Sequence, residues 1–208
     1  MNIFYFYDCP VKSAEAQPDK MLVKMPLETA QMLCTAHREL DGDEYADKVG
    51  LYKRAYWNHP CTVWARASKG NYEWLYAHFL ALGMEYAYRY KREHASITKL
   101  GKALEKKPDN IYDYNITLGD MPLTHPIISK WNRTPIAQCM PDQYKNDDPI
   151  KAYRDYCIHE KHYAKWEKGR SKPKWWVKDA EYLREAGEEW FDVAQAVDDY
   201  YMSIEEEL

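Results

Sequence analysis

The chain has 208 residues, a formal net charge of −4, 46% hydrophobic residues and only eight glycines, which excludes a disordered chain and suffices for one medium domain with an extension. Five cysteines (Cys9, Cys34, Cys61, Cys139, Cys157) are scattered and never paired as CxxC, which argues against a disulfide framework or a zinc ribbon and points to a reducing compartment. The apolar start MNIFYFY is too short for a signal h-region, and no window approaches the roughly 18 apolar residues of a membrane span, so a cytoplasmic protein without a membrane partner is expected.

In chain order, residues 2–7 read as a short aromatic strand or extended arm, and Pro10 turns the chain. The segment PDKMLVKMPLETAQMLCTAHREL has helical composition interrupted at Pro26, which predicts a kink or a fresh helix with Pro26 in its first turn. A fresh helix places Glu28 near a helix N-terminus, where the dipole stabilises a carboxylate. Residues 41–60, with Gly42, Gly50 and Pro60, form a loop carrying a turn of helix. One long helix runs from near Gly70 to His94, with a core stripe of Leu75, Phe79, Leu82 and Tyr86 and with Asn71, Trp74, His78, Glu85 and Arg89 on an adjacent face. Residues 108–150 hold six of the eleven prolines and no sustained period, the signature of a long wrapping loop, and a further helix spans about Pro149 to Lys168. The end, from Asp179, has apolar residues at helical spacing among acidic ones. The fold class is therefore mainly α: a compact helical domain over 1–178 with an extended arm and a long proline-containing loop, followed by an acidic amphipathic helix over 179–208.

Charge is distributed unevenly, since residues 151–178 carry nine basic and three acidic side chains and residues 179–208 carry one and eleven. The basic, aromatic stretch suits a phosphate-contacting surface, and is equally a solvated loop balanced by the acidic tail. The stretch from Asn58 to His94 is unusually rich in His, Arg, Asn, Glu and aromatics. Each polar group buried there needs a partner or costs about 1–3 kcal/mol, so a polar ligand is expected.

The succession NHP, WxR, NYxWL, EYxxRY and a following His, preceded by DKMLVKMPLETAQML and followed by MPDQYK and YRDY, resembles a widespread family of tailed-phage proteins. That resemblance covers the chain to about Trp176 and implies a phage protein in the cytoplasm of an infected bacterial host; it carries no activity. The spacing of Asp19, an apolar helix and Glu28, followed by a long aromatic helix, is similar to the phage pyrimidine-dimer DNA glycosylases of the endonuclease V type. That second resemblance implies a compact all-helical fold, DNA or a nucleotide as partner, and Glu28 at the place of the catalytic glutamate. In that family the nucleophile is the α-amine of a small N-terminal residue. Here the chain starts Met1-Asn2 and continues into the aromatic arm, which is expected to displace the terminus; Leu27 and Thr29 stand beside Glu28 where the family has basic residues.

Cleaving an N-glycosidic bond with an amine requires an unprotonated amine, a carboxylate that steadies the sugar cation or moves protons, and groups that hold an extruded base. Glu28, Lys24 and His59 are the catalytic candidates: Lys24 as the substitute amine, one turn before Glu28, and His59 as acid or base directed by Pro60. Lys24 and Glu28 are equally a surface i,i+4 ion pair, and His59 is equally a turn-stabilising side chain. Trp64 and Tyr72 are candidates for stacking on a base, Arg66 and Arg89 for clamping an anion, and Asn71, Glu85 and His94 for lining the pocket; each aromatic is equally core, and Arg89 with Glu85 equally a helix pair. Cys157, His159 and His162 are close in sequence, but Cys157 and His159 fall on different helix faces, so no metal is expected. No P-loop, GxGxxG, HExxH or GxSxG string occurs, and no cofactor is expected. Three functions fit: a base- or nucleotide-processing enzyme of DNA glycosylase/lyase type, whose polar set converges on one cleft; an accessory protein that binds a host macromolecule through the acidic tail; and a protein that sequesters a nucleotide without turning it over.

Overall fold

The computed structural model describes residues 1–113 and 133–176. It divides into two compact units, Met1–Pro173 and Lys174–Leu208. The acidic helix expected over 179–208 and the middle of the proline-rich stretch lie outside the described residues. Those described are helical, with no strand among them: α1 (Pro10–Glu15), α2 (Asp19–Leu22), α3 (Met25–Leu40), α4 (Asp43–Lys48), α5 (Pro60–Ala67), α6 (Lys69–Tyr90), α7 (Ala95–Leu100) and α8 (Pro149–Glu160), with short 3-10 turns at Ala103–Glu105 and Asp142–Tyr144. No described helix is long and apolar enough to cross a membrane.

The arm is extended chain that never becomes a strand. Asn2 to Phe6 are all buried, and in place of a ladder partner the Ser13 hydroxyl accepts from the Phe6 N–H at 3.1 Å and donates to the Phe4 carbonyl. Phe4 sits at φ 54°, a left-handed conformation that bends the arm and rules out a regular strand. Pro26 falls in the first turn of a fresh helix, α3, where its missing N–H costs nothing. Glu28 therefore stands in that first turn, as the proline position predicts.

Helix α6 is the centre of the fold. Its stripe Leu75, Phe79, Leu82 and Tyr86 is buried, and so are Asn71, Tyr72, Trp74, His78, Glu85 and Arg89 around it, so the helix is enclosed on most sides. Ser68 caps its N-terminus by accepting from the Asn71 N–H at 3.2 Å. It ends at Tyr90, because Lys91 turns left-handed at φ 55°. His94 is thus outside the long helix and instead caps α7 by accepting from the Ser96 N–H. A Cβ on Gly83 would lie 2.4 Å from the Ile97 side chain, so the close approach of α6 and α7 depends on glycine unless Ile97 moves aside. Helix α8 stops at Glu160, earlier than its composition suggests.

Two buried arginines hold the loops. Arg38 donates to the Tyr52 and Leu51 carbonyls and to Asp43 and Asp47, fixing the 41–52 loop with its turn of helix α4 against α3. Arg89 donates to Glu85 at 2.6 Å, to Asp19 at 2.8 Å and to the Gln17 and Glu15 carbonyls, so that α6 grips the junction of α1 and α2. Asp19 also accepts from the Glu167 N–H, and Arg170 reaches Glu85 and Glu15, drawing the basic stretch onto the same cluster.

Removing the Arg89 guanidinium would leave the Glu85 carboxylate buried with half of its partners gone. Arg89→Met is expected to destabilise the protein by about 3–5 kcal/mol in chemical denaturation, the range for breaking one side of a buried ion pair. Burial also pushes the His78 imidazole down to about 4, its ring donating to the Pro10 carbonyl and stacked on Trp74. The unfolded chain takes up this proton near the ordinary value of 6.5 while the native protein resists it to about 4. Stability present above pH 6.5 is therefore lost as pH falls toward 4, by about 3 kcal/mol from this residue. Urea midpoints at pH 7 and pH 4.5 should show a smaller acid loss in His78→Phe than in wild type, although the variant starts lower at pH 7.

Candidate active site at the N-terminal amine and Glu28

The arm leads back to the start of α3, and the chain terminus arrives beside Glu28. The Met1 α-amine lies 3.7 Å from Glu28 Oε2, which also accepts from the Asn2 N–H at 3.1 Å. Lys24 Nζ stands 3.3 Å from Oε1. The aromatic arm therefore does not displace the terminus; it folds along the domain and delivers the amine to the carboxylate. Its seating is tight because the Asn2 side chain donates to the Cys139 carbonyl at 2.8 Å and its Oδ1 meets the Tyr153 hydroxyl at 2.8 Å. The Thr62 hydroxyl contacts the Met1 sulfur.

One carboxylate thus faces two cationic groups. Of the two amines, the α-amine is fixed by a residue whose side chain is only 1% exposed, whereas the Lys24 amine ends a side chain that is 53% exposed. His59 is half-buried at the N-terminus of α5, where it caps the helix by accepting from the Cys61 N–H at 3.2 Å. Burial, and then the positive α-amine nearby, hold its imidazole below the usual histidine range, with Glu28 opposing. A neutral ring that accepts through Nδ1 carries its proton on Nε2, so in this arrangement His59 offers a hydrogen-bond donor.

The remaining sequence candidates do not converge here. Asn71 is fully buried and saturated, donating to the Trp64 carbonyl and the Thr134 hydroxyl and accepting from the Thr134 N–H. Trp64 is buried with its indole N–H on the Thr134 carbonyl, and the Tyr72 hydroxyl contacts the Leu104 carbonyl and His37. Both rings are core, without a face for a base. Glu85 and Arg89 are consumed by the ion cluster beneath α1 and α2, and Arg66 donates to the Trp57 carbonyl. His94 has both nitrogens engaged, one at the Ser96 N–H and the other at the Val23 carbonyl. Among the described residues these groups do not converge on one cleft, because burial satisfies them with backbone carbonyls, ion partners and the Thr134 hydroxyl. Two concavities, of about 320 Å³ around Asp41, Tyr45 and Asp109 and about 520 Å³ around Lys69, Lys107 and Asp113, are lined by none of these candidates.

Three features escape a reading of the sequence. The first is the α-amine, which no residue pattern marks. The second is the pair Tyr56 and Trp57, 71% and 52% exposed, on a turn closed by the His59 N–H to the Tyr56 carbonyl, with Tyr56 held left-handed at φ 46°. The tripeptide Asn58-His59-Pro60 that follows was the available signal. The third is a donor cluster in which an atom each of His59, Cys61 and Cys139 lie within 4.8 Å of one another. Cys139 comes from a segment distant in sequence, pinned where Arg133 meets Tyr5 and Asp8 and where Thr134 meets Asn71. The sequence trio Cys157, His159 and His162 gives no such group.

Residues 1–98 match the family model described as pyrimidine dimer DNA glycosylase, so the part of the chain that carries Met1, Lys24, Glu28 and His59 is similar to a DNA glycosylase family. No curated protein and no solved structure matches.

Asn71→Ala leaves the Thr134 N–H and the Trp64 carbonyl without their buried partner and is expected to cost about 1–3 kcal/mol by urea denaturation.

Proposed function

We propose that the protein is a DNA glycosylase/lyase that acts on damaged pyrimidines, with the N-terminal α-amine as nucleophile and Glu28 as its proton carrier. The observation that carries the reading is the 3.7 Å approach of the α-amine to Glu28 at the end of a buried arm, within the stretch similar to the glycosylase family. The amine lone pair attacks C1′ of the deoxyribose as the bond from C1′ to the base breaks, and the base departs with that electron pair. The proton shed by the amine passes through Glu28 to the leaving base, and opening of the sugar ring then gives a Schiff base between the amine nitrogen and C1′. Glu28 also faces the cation that develops on the sugar, a position where a fixed carboxylate stabilises charge. Lys24 contributes a positive charge for the phosphate backbone and steadies the carboxylate.

Tyr56 and Trp57 take the stacking role first assigned to Trp64 and Tyr72. They are exposed, they precede His59 directly, and an extruded or unstacked base needs an aromatic face of that kind. DNA is accordingly the proposed partner, and the cytoplasm of a phage-infected bacterium the proposed setting.

Incubation with ultraviolet-irradiated or untreated duplex DNA in the presence of borohydride tests the reaction. The expected result is a covalent adduct with irradiated DNA alone, mapped by peptide mass to Met1, preserved in Lys24→Ala and reduced by about 100-fold or more in Glu28→Gln. Extending the chain by Gly-Ser before Met1 should abolish trapping while leaving DNA binding intact. An adduct that survives the extension and disappears in Lys24→Ala would move the nucleophile to lysine. Absence of both adduct and nicking would overturn the reaction.

A further inference from the structure

We propose that His59, Cys61 and Cys139 form a binding site for a borderline-soft divalent metal ion of the Zn²⁺ class, which clamps the start of α5 to the segment that seats Asn2. Three donor atoms, one from each residue, lie within 4.8 Å of one another, and the two sulfurs are 3.2 Å apart. A tetrahedral zinc with sulfur ligands at about 2.3 Å and a nitrogen ligand near 2.0–2.1 Å spaces its donors roughly 3.3–3.8 Å from each other. Binding therefore asks the sulfurs to part by roughly half an ångström and the imidazole nitrogen, within 4.8 Å of them, to close by up to about 1.3 Å, movements open to side-chain rotation.

Donor chemistry decides the class of ion. Two thiols and an imidazole favour zinc, cobalt or cuprous copper over magnesium and calcium, which take oxygen ligands. The site is also held in place by its surroundings. Pro60 in the first position of α5 fixes the step from His59 to Cys61. Cys139 is anchored on both sides of its backbone, its carbonyl by the Asn2 amide at 2.8 Å and its N–H by the Tyr153 hydroxyl at 3.4 Å. His59 Nδ1, whose lone pair now accepts a 3.2 Å bond from the Cys61 N–H, is the ring nitrogen available without a change of tautomer. Binding releases the two thiol protons to solvent and exchanges that weak cap bond for a metal–nitrogen bond.

Three protein donors leave a fourth coordination position. His59 and Cys139 are both partly exposed, so this position is reachable from solvent. The role assigned to the ion is mechanical. Cys139 lies in the segment whose carbonyls at 137 and 139 hold Tyr153 and Asn2, and Asn2 orients the N–H that Glu28 accepts. A metal joining Cys139 to α5 would stiffen the seat of the terminus. The site does not depend on the glycosylase reading, since it concerns binding and stability of the folded chain.

Reduced, metal-free full-length protein titrated anaerobically with Co²⁺ tests it by absorption. The expected result is one equivalent bound, with near-ultraviolet thiolate-to-cobalt charge transfer and intense visible bands of a tetrahedral site, displaced by one equivalent of Zn²⁺. Cys139→Ser and His59→Asn should each weaken binding by more than about tenfold, Cys34→Ser should leave it unchanged, and Zn²⁺ should raise the melting temperature of wild type but not of Cys139→Ser. Glu28→Gln, which disables the proposed reaction, should bind cobalt as wild type does, so that the two readings are scored separately. Only the weak spectrum of octahedral cobalt with the reduced wild-type protein would overturn the site. So would a peptide map showing Cys61 and Cys139 joined as a disulfide in freshly isolated protein, because the sulfurs would then serve each other and not a metal.

Discussion

Burial of the Arg89 guanidinium is the constraint on which the rest of the molecule hangs. A cation enclosed in a helical core is costly unless its N–H groups find acceptors and opposite charge is close. Arg89 meets that demand with Glu85 on its own helix, Asp19 at the start of α2 and two carbonyls between α1 and α2. The direction in which the chain leaves α1 is thereby set from α6. Once α2 is fixed, the short passage through Val23 and Lys24 determines where α3 begins, and Glu28 stands one turn inside that beginning.

The same economy governs the arm. Its backbone groups have no neighbouring strand, so Ser13 and Gln17 serve them from below, and Arg133 closes over Tyr5 and Asp8 while lying against the Trp74 ring. A segment buried in this way cannot wander, and its first residue is carried to a definite point. That point is Glu28. The second carboxylate oxygen is taken by Lys24, so the acid is held between two cations and oriented by a backbone N–H.

Much of the fold was legible in the residues. The apolar spacing of α6, the proline that opens α3, and the loop around a turn of helix at 43–48 all follow from local rules, because periodicity and proline geometry act over a few residues. The similarity of the first half to a pyrimidine dimer glycosylase family was legible too, in Asp19, the apolar helix and Glu28. Of the candidate site, Glu28, Lys24 and His59 stand near the terminus, whereas Asn71, Tyr72, Glu85 and Arg89 have buried partners that cannot be read from a list of polar side chains. Each is satisfied by a residue far away in sequence, such as Thr134 for Asn71 or Asp19 for Arg89.

By itself, then, the sequence determined a helical protein with a carboxylate at a helix N-terminus and an arm of aromatic residues before it. Those properties depend on side-chain periodicity, on proline and on hydrophobicity, which are local. Tertiary structure alone decided that the arm doubles back to bring the α-amine to Glu28, and that Cys139 joins His59 and Cys61. It also decided that Tyr56 and Trp57 are exposed while Trp64 and Tyr72 are buried. These outcomes turn on which buried polar groups find each other across the core, a condition that only the closed fold imposes.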